Sequence, residues 1–275
     1  MLRIIVDSGS SIKKAEKESY GIDILPIRIQ MGNDDYLDGV NLENDLFYQK
    51  LENKKEFPKT SLPSLSDAEE LVQSYLQAGD SVLILTISSE ISGTWQALTN
   101  LFQDEPNVLV FDTRLAVGGI RFLVDEALRW KDQPLDVIKG KLEDLIPRIV
   151  IMAIPETLNY LLAGGRLSRA EWMMGTLLSI RPIIGFQNGR VSVLSKKRGL
   201  KQGMHAIANA LKEEHCDPEY GIIAAYTHNR SNVEALIACT DPVYQKAIRV
   251  YDDLTPSIAC HWGPNAFGYI FVKEK

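Results

Sequence analysis

The sequence is poor in residues that several large protein classes require. Only three of its 275 residues are cysteines, Cys216, Cys239 and Cys260, and no two of them have CxxC spacing. This argues against a disulfide scaffold and against a zinc site, and it fits a reducing compartment. The formal net charge is −6, which disfavours nucleic acid as a partner because phosphate binding requires a basic surface.

Long apolar runs are also missing. No run approaches the ~18 residues that cross a bilayer. The N-terminal stretch MLRIIVDSGSS turns polar after six residues, too early for the apolar region of a signal peptide. We therefore expect a soluble, cytoplasmic protein without an integral membrane segment.

Several well-known functional fingerprints are absent. The sequence has no GxxxxGK[ST] phosphate loop, no GxGxxG, no HExxH and no GxSxG. Ordinary nucleotide-binding, NAD-binding and α/β-hydrolase interpretations therefore lose their main support. The sequence predicts neither a metal site nor a cofactor.

What is present is a regular alternation of short apolar runs and amphipathic segments, typical of an α/β fold with mainly parallel sheets flanked by helices. Ser66 and Glu69 form a capping-box pattern that predicts a helix ending near Gly79. Apolar residues at helical spacing over 120–128 predict another helix. The strands are predicted at residues 2–6, 24–29, 82–87, 108–111, 149–154, 221–226, 247–251 and 269–272.

The length of the chain predicts two lobes, because 275 residues exceed the usual size of one domain. We place the lobes at residues 1–149 and 150–275. The second is expected to contain a β-hairpin near residues 183–194. The reason is Asn188-Gly189, two turn residues that tolerate positive φ between two apolar runs.

Polar segments follow predicted strands at positions where parallel sheets usually bind ligands. The segment at residues 7–11, DSGSS, taken alone is explained better as a turn with a helix N-cap than as a ligand site. The segment at 59–64, KTSLPS, is explained equally well as an extended loop. The segment at 261–268, HWGPNAFG, surrounds one histidine with two glycines and a proline, which fixes the backbone and aims the imidazole. A purely structural histidine explains this pattern equally well.

The segment at residues 88–94, SSEISGT, carries the sharpest chemical signal. A hydroxyl-rich loop with a glycine at the start of a helix presents backbone N–H groups and the positive end of the helix dipole. Such a site binds a carboxylate or phosphate without a lysine. A serine-capped helix without a ligand explains the same pattern.

Two basic segments are candidates for contact with a partner. Arg166 and Arg169 follow a predicted helix end at Gly164-Gly165, and they could face an anion, a partner or solvent. Lys196, Lys197 and Arg198 form a dense basic run that suits an acidic partner or a solvated surface.

Taken in order, the start DSGSS, then TSLPS, ISSEISGTWQ, GGRLS and HWGPNAFG resemble the DegV family over essentially the whole chain. The resemblance implies two α/β lobes with a long-chain fatty acid between them. It also implies a non-catalytic role as the acyl-carrying subunit of a bacterial fatty acid kinase. A separate ATP-dependent kinase subunit would convert the bound carboxylate into an acyl phosphate for phospholipid synthesis.

Carried over residue by residue, the resemblance implies carboxylate contacts from Thr60 or Ser61, from Ser92 with the N–H of Gly93, and from His261. Arg166, Arg169 and the run of Lys196, Lys197 and Arg198 would dock the kinase.

Three positions depart from the family pattern. Leu62 stands where glutamine is common, Asn265 where we expect glycine, and Phe267 where we expect an aliphatic residue. A second acidic residue is also missing near Ser11. None of these departures removes a proposed carboxylate ligand.

Two other functions fit parts of the sequence. A serine hydrolase of lipid esters would use Ser92 as nucleophile and His261 as base, with Asp7 or Asp112 orienting the histidine. A sugar-binding lobe of a phosphotransfer system is suggested only by fold analogy.

Overall fold

A computed structural model describes residues 1–52, 56–175 and 180–275. The strands are β1 (Leu2–Asp7), β2 (Asp23–Leu25), β3 (Arg28–Met31), β4 (Asp34–Leu37), β5 (Lys59–Ser61), β6 (Ser81–Thr86), β7 (Val108–Asp112), β8 (Ile149–Ile154), β9 (Ile180–Gln187), β10 (Arg190–Arg198), β11 (Ile222–Tyr226), β12 (Ile248–Asp253) and β13 (Phe267–Val272). The helices are α1 (Lys14–Tyr20), α2 (Asn44–Glu52), α3 (Leu65–Gln77), α4 (Thr94–Leu101), α5 (Gly118–Arg129), α6 (Leu135–Leu145), α7 (Asn159–Ala163), α8 (Arg169–Gly175), α9 (Leu200–Glu213), α10 (Ser231–Ala238), α11 (Pro242–Gln245) and α12 (Pro256–Trp262). Ser8–Ser10 and Ile146–Arg148 form short 3-10 turns.

The chain divides into two units, each of which is assembled from three separate segments of the sequence. The first unit contains Met1–Glu43, Pro58–Pro147 and Thr255–Ser257, and the second contains Asn44–Phe57, Arg148–Leu254 and Ile258–Lys275. The division therefore differs from two contiguous lobes at 1–149 and 150–275. Helix α2 belongs to the second unit, where the buried Tyr48 packs on the ring of His228.

The first unit is built on a parallel sheet in the order β2-β1-β6-β7. Helices α3 and α4 cover it with apolar side chains such as Val72 and Leu98. A small antiparallel sheet, β4-β3-β5, lies in the same unit. The prediction of one strand over 24–29 is wrong, because Pro26 separates β2 in the large sheet from β3 in the small one.

The second unit is built on a six-stranded sheet in the order β10-β9-β8-β13-β11-β12. Among its described strands only β11 and β12 pair in parallel, and the other neighbours are antiparallel. The expectation of mainly parallel sheets is therefore confirmed for the large sheet of the first unit and wrong for the second. The hairpin of β9 and β10 turns at Asn188 and Gly189, whose φ angles are 52° and 83°.

Two helix predictions have different outcomes. Helix α5 buries Ile120, Leu123, Val124 and Ala127, as the apolar spacing predicted. Helix α3 does not begin with a capping box at Ser66. Ser64 is its N-cap and accepts a hydrogen bond from the N–H of Asp67 at 3.3 Å. Ser64 has the extended backbone conformation that an N-cap residue requires.

Candidate functional site

The segment at residues 7–11 forms a buried turn at the end of β1. The carboxylate of Asp7 accepts hydrogen bonds from the N–H groups of Gly9 at 2.9 Å and Ile87 at 2.8 Å. Asp7 therefore ties together the ends of β1 and β6. Gly9 is required there, since a Cβ would lie 2.3 Å from Ile87. Burial raises the pKa of Asp7 to about 7.

Thr60 and Ser61 lie on β5, which pairs with β3. Thr60 is half-buried and Ser61 is exposed. Successive side chains of a strand point to opposite faces, so the two hydroxyls face different surroundings. The half-buried Thr60 is the better candidate for contact with a bound ligand.

Ser92 and Gly93 lie directly before helix α4. The hydroxyl of Ser92 lies 2.9 Å from that of Thr94 and accepts from the N–H of Thr94 at 3.3 Å. A Cβ on Gly93 would lie 3.6 Å from Leu62, so the TSLPS and SGT segments are neighbours in the first unit. The structure thus brings Ser92 and Gly93 beside the segment that carries Thr60.

Asp112 fixes the loop before Ser92. Its carboxylate accepts from the hydroxyl of Ser89 at 2.6 Å and from the N–H groups of Ser89 and Arg114, each at 3.0 Å. Asp7 and Asp112 were the two candidates for orienting His261 in a hydrolase. Both carboxylates bind other groups of the first unit, which weakens that interpretation.

His261 lies in the last turn of α12, in the second unit. Burial, together with the smaller effect of the positive charge of Arg166, lowers the pKa of His261 to about 3. The imidazole is therefore neutral near pH 7. A neutral imidazole can contact an anion as a hydrogen-bond donor but not as a cation.

Glycines create the space around His261. A Cβ on Gly164, at the end of α7, would lie 2.3 Å from Nδ1 of His261. A Cβ on Gly263 would lie 2.5 Å from the ring of Tyr160. The GGRLS and HWGP segments thus meet in the second unit. From the sequence, Gly164 is predicted only as a helix stop, because a steric role of a glycine needs knowledge of its tertiary neighbour.

Arg166 lies beside His261. Its guanidinium donates to the carbonyl of Gly164, and burial lowers its pKa. A half-buried guanidinium next to a neutral imidazole favours an anion. This placement agrees with the anion contact that the sequence left open for Arg166, and its docking role stays a prediction.

The other basic residues are more exposed. Arg169 begins α8, which contacts β9 and β10. Lys196 and Arg198 are exposed on β10, and Lys197 between them is half-buried. Arg169 and the basic run therefore lie on neighbouring elements of the second unit.

The departures from the family pattern have structural explanations. Asn265 adopts a φ of 61°, a conformation that asparagine tolerates better than most residues, and its amide donates to Glu156 at 2.7 Å. Phe267 is buried at the start of β13. Leu62 packs near Gly93, as described above.

Membrane spans and metal clusters are both missing from the described ranges. None of the helices there is long and apolar enough to cross a membrane. Within the same ranges, no group of three or more His, Cys, Asp or Glu side chains could hold a metal ion.

The fold and these segments define a class of two-unit α/β proteins, and comparisons identify it. The family model described as "Uncharacterised protein, DegV family" matches residues 1–274. The chain belongs to the DegV family.

Among its relatives, a DegV domain-containing protein of Streptococcus pyogenes serotype M6 is 30% identical over 86% of each chain. A fatty acid binding DegV family protein of Streptococcus agalactiae has a similar structure, with a TM-score of 0.90 and 29% identity over 100% of this chain and 99% of that one. A DegV family protein of Thermus thermophilus, described by its fatty acid binding, gives a TM-score of 0.88 and 27% identity over 99% of each chain.

Proposed function

We propose that this protein binds one long-chain fatty acid. Thr60 or Ser61, Ser92 with the N–H of Gly93, and His261 contact the carboxylate. The observation that carries the proposal is the likeness over the full chain to the fatty acid binding proteins of S. agalactiae and T. thermophilus, at TM-scores of 0.90 and 0.88.

The chemistry of the residues supports this assignment. Ser92 and Gly93 precede a helix whose N-terminal N–H groups and dipole favour an anion. His261 supplies a neutral donor, and the guanidinium of Arg166 lies beside it. Hydrogen bonds of this kind to a charged group contribute about 1.5–3 kcal/mol each.

The acyl chain contributes more than the head group. Each buried methylene contributes about 0.8 kcal/mol, so a long chain exceeds the summed head-group contacts. We therefore expect burial of the chain to set most of the affinity. The polar residues then determine where the reactive carboxylate oxygen lies.

Native mass spectrometry of the purified protein tests the proposal, followed by organic extraction and lipid analysis. We expect one C14–C18 fatty acid per chain. A protein that stays empty after incubation with oleate and palmitate would refute the proposal. Labelling of Ser92 by a fluorophosphonate would instead support the hydrolase.

We further propose that this chain breaks no bond itself and presents the carboxylate to a separate ATP-dependent kinase subunit. The resemblance of its motifs to the acyl-carrying subunit supports this role. The test is acyl phosphate formation by wild type and by Ser92→Ala/His261→Ala in the presence of a kinase subunit. We expect the double variant to keep its circular dichroism spectrum and to lose activity. Full activity would exclude both residues from the mechanism.

A further inference from the structure

The DSGSS segment at residues 7–11 has no role in the proposed carboxylate contacts, although Ser8, Ser10 and Ser11 are all buried. Two of these serines bind the residue that precedes α12. The hydroxyl of Ser11 accepts from the N–H of Thr255 at 3.2 Å, and the carbonyl of Ser8 accepts from the hydroxyl of Thr255 at 3.3 Å. The segment therefore holds the start of helix α12.

Asp38 belongs to the same cluster. Its side chain is 2% exposed, and neither carboxylate oxygen has a hydrogen-bond partner among the described residues, although Ser8, Thr255 and Ser257 lie close to it. Ser257 lies in the first turn of α12, where N–H groups have no acceptor within the helix. Asp38 therefore places a buried carboxylate near the beginning of this helix.

Helix α12 connects this cluster with His261. Pro256 is its first residue, a position where the fixed φ of proline is already suited to a helix. His261 follows five residues later, about 7.5 Å along the axis at 1.5 Å per residue. Over so short a distance, a shift at the start of the helix displaces the imidazole.

The buried cluster at the start of α12 consists of polar side chains, although burying apolar side chains there would cost less free energy. Burying a carboxylate and several hydroxyls costs free energy unless their hydrogen bonds are satisfied. In return, hydrogen bonds fix direction as well as distance, which apolar contacts do not. A residue that must aim an imidazole benefits from such a constraint.

We propose that Ser8 and Ser11, with Asp38 buried beside them, form a clamp on the start of α12 that positions His261 for the ligand carboxylate. The inference rests on the proposed function, because it takes His261 to be a carboxylate contact. It assigns the DSGSS segment a role in geometry and not in ligand contact.

The experiment compares Asp38→Asn and Thr255→Val with Asp80→Asn in the full-length protein. Asp80 is a matched control because it is also a buried aspartate of the first unit, ion-paired with Arg3 and the N-terminal amine. Binding of [1-¹³C]oleate is measured by titration, and the carboxyl resonance of the bound ligand and the imidazole resonances of His261 by NMR. Thr255→Val removes one hydroxyl at nearly constant volume and decides the matter if Asp38→Asn does not fold.

We expect both clamp variants to displace His261 and so to weaken its hydrogen bond to the oleate carboxylate. Loss of one such charge-assisted hydrogen bond weakens binding about tenfold. The carboxyl resonance of oleate and the imidazole resonances of His261 should shift as well. Asp80→Asn should lower the melting temperature and leave binding and resonances as in wild type. Clamp variants that keep the wild-type affinity and resonances would overturn the inference while the proposed function stands. Wild-type protein that binds no oleate would overturn the proposed function and this inference with it.

Discussion

At the scale of single residues, the tightest steric restriction in the candidate site is at Gly164, which leaves no room for a side chain beside His261. Gly164 has φ −74° and ψ −10°, which alanine adopts freely. Its Cβ, however, would lie 2.3 Å from Nδ1 of His261. We expect Gly164→Ala to displace the imidazole and to raise the dissociation constant for oleate about tenfold, equivalent to one lost hydrogen bond. Isothermal titration measures this directly.

Gly140→Ala is the control for that substitution. Gly140 lies within α6, and a Cβ added there would meet no atom within 4 Å. Alanine should therefore stabilise the helix by about 0.5–1 kcal/mol and leave oleate affinity unchanged. If Gly164→Ala bound oleate as tightly as Gly140→Ala, the close approach of Gly164 to His261 would not be needed for oleate binding.

Individual residues also show how far sequence reasoning reaches. The turn around His261 predicts an aimed imidazole, since its glycines and proline are local signals. The neighbours of that imidazole, Gly164 and Arg166, come from a segment about a hundred residues earlier. No local pattern reveals that they meet, and the same holds for Asp38 and Ser257.

At the scale of elements, the alternation of β5 separates two hydroxyls that the sequence could not distinguish. Thr60 is half-buried and Ser61 is exposed. We expect Thr60→Val, which keeps the shape and removes the hydroxyl, to weaken oleate binding about tenfold. Ser61→Ala should stay close to wild type in the same titration. Equal losses in both variants would contradict the assignment.

The strand β10 carries the candidate docking charges. Lys196 and Arg198 are exposed and two residues apart, so they share one face. We expect Lys196→Glu/Arg198→Glu to raise the KM of a kinase subunit for this protein several-fold, more at low salt than at high salt. Oleate affinity should not change.

Arg190→Glu is the matched control, because Arg190 is an exposed arginine at the other end of the same strand. It should leave the kinase KM unchanged. The docking role would be contradicted by a charge reversal at Lys196 and Arg198 that weakens oleate binding and leaves the KM unaffected.

The strands also show where the periodicity of apolar residues is insufficient to predict the fold. Most strands lie where apolar runs predicted them, because burial imposes the pattern. No apolar run predicts β4 and β5 of the small sheet, and Pro26 divides the run 24–29 between β2 and β3. The direction of pairing in the second unit depends on which strands are neighbours, and β13 lies between β8 and β11 although it is last in sequence.

At the scale of the whole molecule, the order of the polar segments identified the family, because segments from both units contribute to it. The assignment of Asn44–Phe57 to the second unit and of Thr255–Ser257 to the first was not predictable from the sequence. It depends on the burial of Tyr48 and on the hydrogen bonds of Thr255, both of which join residues far apart in sequence.

Buried ionisable groups in the two units make stability depend on pH in opposite directions. Burial raises the pKa of Asp38 to about 6 and lowers that of His261 to about 3. The contribution of Asp38 is fully present below its unfolded pKa near 3.8 and is lost as pH rises through about 6. The contribution of His261 is present above its unfolded pKa near 6.5 and is lost as pH falls toward about 3.

Replacing each group separately tests this opposition. Relative to wild type, Asp38→Asn should be most destabilising near pH 5 and less so at pH 8, because wild type alone loses the aspartate contribution over that interval. His261→Gln should show the reverse, with its relative melting temperature improving as pH falls from 7 to 5. Calorimetry at pH 5, 6, 7 and 8 measures both differences. Parallel pH profiles for the two variants would contradict the environments assigned to Asp38 and His261, since only opposite pKa shifts produce opposite slopes.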